Sequence, residues 1–222
     1  MEDVLEVYTR PYDACYPQIC MDESAKLLTG DRREALPLQA GQPERSDYTF
    51  EPGGMCKIFL ACEPLMGRRQ VKVTERRTSQ DWAHFIRELV DVHYPQAEKI
   101  VLVMDNLNTH TPSSLYLTFP PTEARRLLEK LEIHHTPVHG SWLHMAEIEL
   151  SALARQCLSR RIGTVEEPER EVHAWQQRRD EEAITVNWRF TTADARIKLK
   201  RLSPSLESKT SSSSKKHVAK KL

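Results

Sequence analysis

A continuous apolar run in the middle of the chain constrains the fold most. Residues 98–105 read EKIVLVMD, in which five apolar residues lie between charged ends. A run of this kind, without alternation of polar and apolar positions, is typical of a strand buried on both faces of a sheet. It therefore predicts a central strand with helices on both sides, and Asp105 is the residue that ends it.

The segments before this run predict a group of strands. PQICMD at 17–22 predicts a short strand that ends in Asp22, and the polar stretch 29–46 predicts a loop. DYTFEPGGMCKIFLACEP at 47–64 predicts two strands joined at a Pro-Gly-Gly turn. RRQVKVTER at 68–76 alternates apolar and charged residues, which predicts a third strand.

Helical patterns alternate with strands in the rest of the core. Thr78 can cap a helix over the apolar spacing that follows it, and segments 121–131 and 141–158 predict two more helices around a strand at 132–137. A strand meander followed by alternating helices and strands indicates an α/β fold. The predicted fold is ribonuclease-H-like, a mixed sheet with helices on both faces.

The chain divides into three predicted parts. Residues 1–163 carry the pattern described above and form the core. Residues 164–202 predict a helix around 166–179, a short strand with the sequence ITVNWRFT, and an amphipathic basic edge. Residues 203–222 combine a serine run with lysines, which predicts a disordered basic tail.

Basic side chains concentrate near the end of the chain, although 32 basic and 32 acidic residues give a formal net charge of zero. This asymmetry suits a polyanionic partner, because each Lys or Arg that meets a phosphate releases counterions; a solvated tail is the alternative. The five cysteines form no CxxC pair, and no apolar run has the length of a membrane span. We therefore expect a cytoplasmic protein with no membrane contact.

Three acids stand where the predicted elements meet. Asp22 and Asp105 end neighbouring strands, and Glu147 lies early in the third helix, which can cross the same edge of the sheet. Each acid alone is more often a turn residue or a solvated helix acid. Converging carboxylates repel one another unless a cation lies between them. Oxygen ligands favour Mg²⁺ or Mn²⁺ over Zn²⁺, and a pair of such ions serves displacement at phosphorus.

The sequences around these acids resemble a known family. CMDES at 20–24, VLVMDNLNTH at 101–110 and TPVHGSWLHMAEIELS at 136–151 resemble the DDE endonuclease domain of bacterial insertion-sequence transposases of the mariner-like superfamily. The resemblance extends to about residue 202. It implies that residues 1–163 form a catalytic core in which Asp22, Asp105 and Glu147 are the catalytic acids that bind two Mg²⁺ (or Mn²⁺) ions. It also implies cleavage of double-stranded DNA at transposon ends, strand transfer into target DNA, a homodimer on DNA and a nucleoid-associated bacterial protein.

Two departures from the family pattern leave alternatives open. The family commonly reads Ser-Trp-Leu-Asn before the last acid, and this chain has His144 in place of that Asn; an imidazole can also donate a hydrogen bond there. Relatives carry helix-turn-helix modules ahead of the catalytic domain, whereas this chain starts close to the first predicted strand. It is either one half of a split transposase, with a helix-turn-helix partner, or a catalytically silent remnant that only binds DNA or protein. A nuclease for RNA–DNA hybrids is a third reading, which the family motifs disfavour.

Several polar and aromatic residues remain as secondary candidates. Glu149 is predicted to face away from Glu147 on the helix, and Glu23 is predicted to be a spare acid. Trp142 is predicted to be a packing residue rather than a base-stacking one. A zinc site among the clustered histidines is disfavoured, because the predicted strand spreads them over different faces. The predicted nucleic-acid contacts are Asn106, His144, Arg196, Lys198, Lys200 and Arg201. For Asn106, as for Asn108 and His110 beside it, hydrogen bonds that stabilise the loop after Asp105 are the alternative.

Overall fold

The computed structural model describes residues 1–31, 50–107, 110–138, 140–164 and 166–199. Its strands are β1 (Gln18–Asp31), β2 (Phe50–Glu63), β3 (Arg68–Thr74), β4 (Ile100–Met104) and β5 (Leu131–His135). Its α-helices are α1 (Glu2–Tyr8), α2 (Ser79–Glu88), α3 (Pro112–Thr118), α4 (Pro121–Glu129), α5 (Met145–Gln156), α6 (Glu166–Glu181) and α7 (Thr192–Lys198). A π-helical turn at Leu89–His93 extends α2, and a 3₁₀ turn at Ser141–Leu143 precedes α5.

The five strands form one mixed sheet in the order β3-β2-β1-β4-β5. Strand β2 is antiparallel to both β1 and β3, and β4 is parallel to both β1 and β5. This arrangement confirms the predicted ribonuclease-H-like α/β fold. Strand β4 is the central strand predicted from its apolar run, and all five of its residues are buried.

The sheet separates two apolar cores, which explains the residue pattern of its inner strands. Along β4, Val101 and Val103 face the core that α1, α5 and α6 cover, while Ile100, Leu102 and Met104 face the core that α2, α3 and α4 cover. Because neighbouring side chains of a strand point to opposite faces, a strand buried on both sides must be apolar throughout. Helices therefore lie on both faces, as predicted.

The first two strands are longer than predicted. Strand β1 continues past Asp22 to Asp31, so Asp22 does not end the strand and residues 29–31 are not loop. Strand β2 is one strand that contains Pro52, Gly53 and Gly54, because it pairs with β1 along its length and a register shift between Leu28 and Thr29 absorbs these residues. The remainder of the predicted loop lies outside the described residues.

The C-terminal part confirms one predicted helix and corrects one predicted strand. Helix α6 lies where a helix was expected, and Gln176 on it exchanges hydrogen bonds with the backbone of β3. The segment ITVNWRFT forms no strand. Its aromatic side chains instead pack on the core beside α1, and a capping box between Thr191 and Asp194 starts α7. Arg196 and Lys198 are therefore on a helix, not on a basic edge strand.

Parts of the earlier predictions fall outside the description. Lys200, Arg201 and the predicted tail at 203–222 lie outside the described residues. Within the described ranges, no helix combines the length and the apolar character needed to cross a bilayer. The domain boundaries at 163 and 202 stay predictions.

Candidate active site

The first two acids lie side by side on neighbouring parallel strands. Met21 of β1 is opposite Met104 of β4. Asp22 is the next residue of β1, and Asp105 is the first residue after β4. Because carboxyl ends of parallel strands meet at one edge, the two aspartates start at the same level of the sheet. Strand β4 ends there while β1 continues against β2, so Asp22 lies where the parallel pairing ends.

The third acid reaches this edge from a helix that packs on β1. Glu147 is exposed in the first turn of α5. The start of this helix is fixed by two long-range contacts: His144 Nε2 lies 2.9 Å from the Met21 carbonyl oxygen, and the Tyr8 hydroxyl donates to the Leu143 carbonyl oxygen at 3.0 Å. The sequence thus holds the beginning of α5 directly beside Asp22.

The electrostatics of Asp22 show that these acids act on one another. The carboxyl group is almost completely buried, and burial raises its pKa to about 7, with further contributions from the charges of Glu147, Asp105 and Glu23. A hydrogen bond of 2.7 Å from the Glu23 backbone N–H opposes this effect. Concentrated negative charge of this kind is what a bound cation would neutralise.

Among the described residues, the three acidic side chains do not surround one common point. Within the part of the chain that the structure describes, no three acidic, histidine or cysteine side chains are arranged closely enough to hold one ion. The donors at this edge are carboxylate oxygens, which fits Mg²⁺ or Mn²⁺ by chemical type. Convergence of all three acids on a metal pair stays a prediction.

A histidine and a fourth acid lie beside these acids: His110 makes a hydrogen bond of the kind expected near Asp105, whereas the contact of Glu23 was not predicted. The His110 ring is fully buried, with Nδ1 donating to Asp105 Oδ1 at 2.8 Å and Nε2 2.8 Å from Glu23 Oε2. Glu23, predicted to be a spare acid, is also buried and forms an ion pair with Arg77 at 2.9 Å. The signal available in the sequence was the His that follows Asp105 by five positions in DNLNTH.

The charges of this group stabilise one another. Burial alone would lower the pKa of His110, but its contacts with Asp105 and Glu23 raise it to about 9. Burial would likewise raise the pKa of Asp105, and the hydrogen bond from His110 instead holds it below its usual range. His110 is therefore an imidazolium at neutral pH, and it keeps Asp105 ionised while Asp22 beside it resists ionisation.

Comparison with known families identifies the chain. A family model described as DDE superfamily endonuclease matches residues 17–168, which is more than half of the sequence. The chain belongs to this family. A search of curated proteins finds no match.

The solved structures that are similar to this chain include complexes of the Mos1 mariner transposase. The DDE domain is similar to the Mos1 strand transfer complex, with a TM-score of 0.56 and 16% sequence identity over 82% of this chain and 53% of that chain. It is also similar to the Mos1 mariner paired end complex with Mn, with a TM-score of 0.52 and 16% identity over 82% of this chain and 56% of that chain. At this identity the likeness shows the fold, and the chain spans about half the length of the structures that it matches.

His144 of the DDE domain does not lie where DNA could touch it. Its side chain is buried beneath the start of α5, with Nε2 3.9 Å from Asp22 Oδ2. Burial lowers its pKa, so the ring is neutral at physiological pH and donates from Nε2 to Met21. The predicted nucleic-acid contact is therefore corrected to an internal one, which fixes the helix that carries Glu147.

Of the other predicted DNA contacts of the DDE domain, the three that the structure describes are at its surface. Asn106 is exposed directly after Asp105. Arg196 is largely exposed and forms two hydrogen bonds with Glu2, of 2.8 and 2.7 Å, while Lys198 lies 5.3 Å from the Phe190 ring. Trp142 is 52% exposed and touches Phe190 edge-on, so the packing role predicted for it accounts for only one side of its ring.

Proposed function

We propose that the chain is the catalytic domain of a transposase of the bacterial, mariner-like insertion-sequence branch, which cleaves DNA strands at transposon ends and transfers them into target DNA. The observation that carries this proposal is the level placement of Asp22 on β1 and of Asp105 directly after the parallel neighbour β4, beside the helix whose first turn carries Glu147. Membership of the DDE superfamily endonuclease family supports the same activity.

The cofactor in this proposal is a pair of Mg²⁺ or Mn²⁺ ions held by Asp22, Asp105 and Glu147. The raised pKa of Asp22 supports it, because a buried carboxyl group among other acids gains its charge most readily beside a cation. A solved neighbour was determined with Mn, which also supports a divalent ion. When bound, such ions activate the attacking oxygen and stabilise the leaving oxygen of an in-line displacement at phosphorus.

The protein groups around the acids have defined tasks in this mechanism. His110 holds the Asp105 carboxylate in its ionised form from the buried side. His144 fixes the first turn of α5 to β1, so that Glu147 is held at the edge where Asp22 lies. Asn106 and the basic side chains near the C-terminus contact the DNA backbone, which positions the scissile phosphate.

The partners in this proposal are double-stranded DNA, a second copy of the chain and a helix-turn-helix module that reads the transposon end. The solved neighbours are strand transfer and paired end complexes of a transposase, which supports DNA as the partner. We place the active protein in the bacterial cytoplasm, on the nucleoid.

A catalytically silent remnant is the alternative, and one observation favours it. The histidine that replaces the usual Asn is buried 3.9 Å from Asp22, and its Nδ1 atom has no hydrogen-bond partner among the described residues. A bulky ring with an unsatisfied nitrogen next to a proposed metal ligand supports decay of the site. The activity test below separates the two functions.

The test is nicking of a labelled duplex that carries the transposon end, in Mn²⁺, with and without a fused helix-turn-helix module from a relative. We expect the fusion to cut, and Glu147→Gln to reduce cutting at least about a hundredfold because a charged ligand is lost. Glu169→Gln, at an exposed position on α6, is the matched control and should cut as well as the parent. If the fusion cuts only after His144→Asn, the chain is a remnant. Cutting that survives Glu147→Gln would contradict the enzyme proposal.

A further inference from the structure

Asp105 lies directly after Met104, the last residue of β4, so its side chain is outside the strand pairing that holds Asp22. The backbone N–H of Leu107 and the ring of His110 both form hydrogen bonds with its carboxylate. That side chain is 39% exposed. A ligand for a small cation needs a fixed direction, and metal-binding side chains usually gain it from a further hydrogen-bonded partner.

The His110 ring is packed into the core on two sides. Its ring is buried, lies against Trp82 of α2 with a centroid distance of 5.8 Å and an interplanar angle of 24°, and has an acid at each nitrogen. The acid on the far side, Glu23, belongs to β1 and is itself held by Arg77. The ring is thus anchored to a strand and a helix of the core.

We propose that His110 is a positioning residue for the metal site: it holds the Asp105 carboxylate from the buried side, so that the exposed side of this carboxylate faces a divalent ion. The Glu23 carboxylate lies 2.8 Å from Nε2 of the imidazole as an ion pair outside hydrogen-bond geometry, and Arg77 holds that carboxylate in turn. This inference rests on the proposed metal role of Asp105. According to this inference, the direction of the Asp105 carboxylate depends on its hydrogen bond with His110 and not on the backbone alone.

Substitutions at His110 separate positioning from mere packing. Phe keeps a ring against Trp82 but has no donor. Asn has no ring, yet its amide nitrogen lies close to the place of the imidazole Nδ1 and can donate to Asp105. A packing role predicts that Phe is the better replacement, and a positioning role predicts that Asn is.

The experiment measures Mn²⁺ binding to the full chain by the loss of the free-ion electron paramagnetic resonance signal, with melting temperatures recorded in EDTA. We expect His110→Phe to weaken Mn²⁺ binding at least about tenfold and His110→Asn to stay within about threefold of the parent. The matched control is His134→Asn. That ring also bridges two acids, Asp3 and Glu132, at 2.8 and 2.9 Å, and neither is a proposed ligand, so Mn²⁺ affinity should not change.

Two results would overturn the inference. Mn²⁺ binding by His110→Phe that equals the parent's, while Asp105→Asn loses it, removes the positioning role and leaves the proposed function intact. Mn²⁺ binding that survives Asp105→Asn removes the proposed metal role of Asp105, and the inference with it. If His110→Phe does not fold, the comparison of His110→Asn with His110→Gln decides instead. The Asn variant should bind Mn²⁺ at least about threefold more tightly than the Gln variant, and equal binding by these two variants contradicts the proposal.

Discussion

At the scale of single residues, Asp22 lies where its surroundings disfavour its charge. Burial and three neighbouring carboxylates raise its pKa to about 7, well above the ordinary value of 3.8. A group whose pKa is raised on folding stabilises the fold fully below its unfolded pKa, and this contribution is lost as the pH rises through the folded pKa. The metal-free domain should therefore lose stability between about pH 4 and pH 7 because of this residue.

Asp22→Asn should stabilise the domain in EDTA at pH 8 and have little effect at pH 4, because Asn removes the charge that is unfavourable only at the higher pH. One pH unit of pKa difference corresponds to about 1.4 kcal/mol, so the gain is at most about 4 kcal/mol. Urea unfolding at both pH values measures it. In Mn²⁺ the order should reverse, since only the parent keeps this ligand. A destabilised Asp22→Asn variant at pH 8 in EDTA would contradict the assignment.

The sequence predicts Asp22, Asp105 and Glu147 as the acids of the site, but it does not predict the contact between Glu23 and His110. The three acids follow from the order of strands and helices and from the motifs around them. The contact between His110 and Glu23 depends on how β1 and the segment before α3 lie in space, and no periodic pattern encodes it. His144 was assigned to DNA for the same reason, because burial beneath α5 is a long-range property.

At the scale of elements, one buried carboxylate joins the helix of Glu147 to the rest of the fold. Glu149 of α5 receives hydrogen bonds from Arg69 of β3, at 2.7 and 3.1 Å, and from Arg179 of α6, at 3.2 and 3.0 Å. Burial alone would raise its pKa, and these two guanidinium groups hold it below the usual range. Its direction away from Glu147 is as predicted, and it orients the whole of α5.

Glu149→Gln should destabilise the domain by about 3 kcal/mol at pH 7, because two buried guanidinium groups lose their counter-charge. A carboxylate with a lowered pKa contributes stability above its ordinary value of 4.5, and this is lost as the pH falls through the folded pKa. The difference between variant and parent in urea unfolding should therefore shrink as the pH falls below 4.5. Glu129→Gln, in an exposed pair with Arg125, is the control and should cost less than about 1 kcal/mol.

Local signals predicted the elements well where one face or one cap decides them. The apolar run of β4 and the Thr78 cap of α2 gave their elements correctly. The signals failed where pairing with a distant strand overrides local chemistry: β1 continues to Asp31 and β2 passes through Pro52 because the two strands pair with each other. The strand predicted before α7 was wrong for a different reason: the aromatic residues of this segment pack on the core and do not join the sheet.

At the scale of the whole molecule, the acidic residues of the proposed site and the basic residues near the C-terminus lie in different parts of the sequence. The proposed catalytic edge gathers Asp22, Glu23, Asp105 and Glu147, whereas the sequence after Phe190 is rich in Lys and Arg. An acidic edge repels phosphates unless cations neutralise it, so affinity for DNA must come from elsewhere in the chain. The basic C-terminal sequence is suited to supply it.

Replacing Lys209, Lys215, Lys216, Lys220 and Lys221 by Gln should weaken DNA binding and flatten its dependence on salt. Each phosphate contact contributes about −0.9 to the slope of log K against log salt concentration for duplex DNA, so loss of all five contacts would change the slope by about 4.5. Fluorescence anisotropy with a labelled duplex at several salt concentrations measures both quantities. The matched control replaces the same lysines by Arg, which keeps the charge and should keep the slope.

Phosphate contacts carry no sequence information, so the loss of affinity should be equal on a transposon-end duplex and on an unrelated one. An unchanged slope in the Gln variant would show that this sequence does not touch DNA, and would move the binding surface to the helices around the acids.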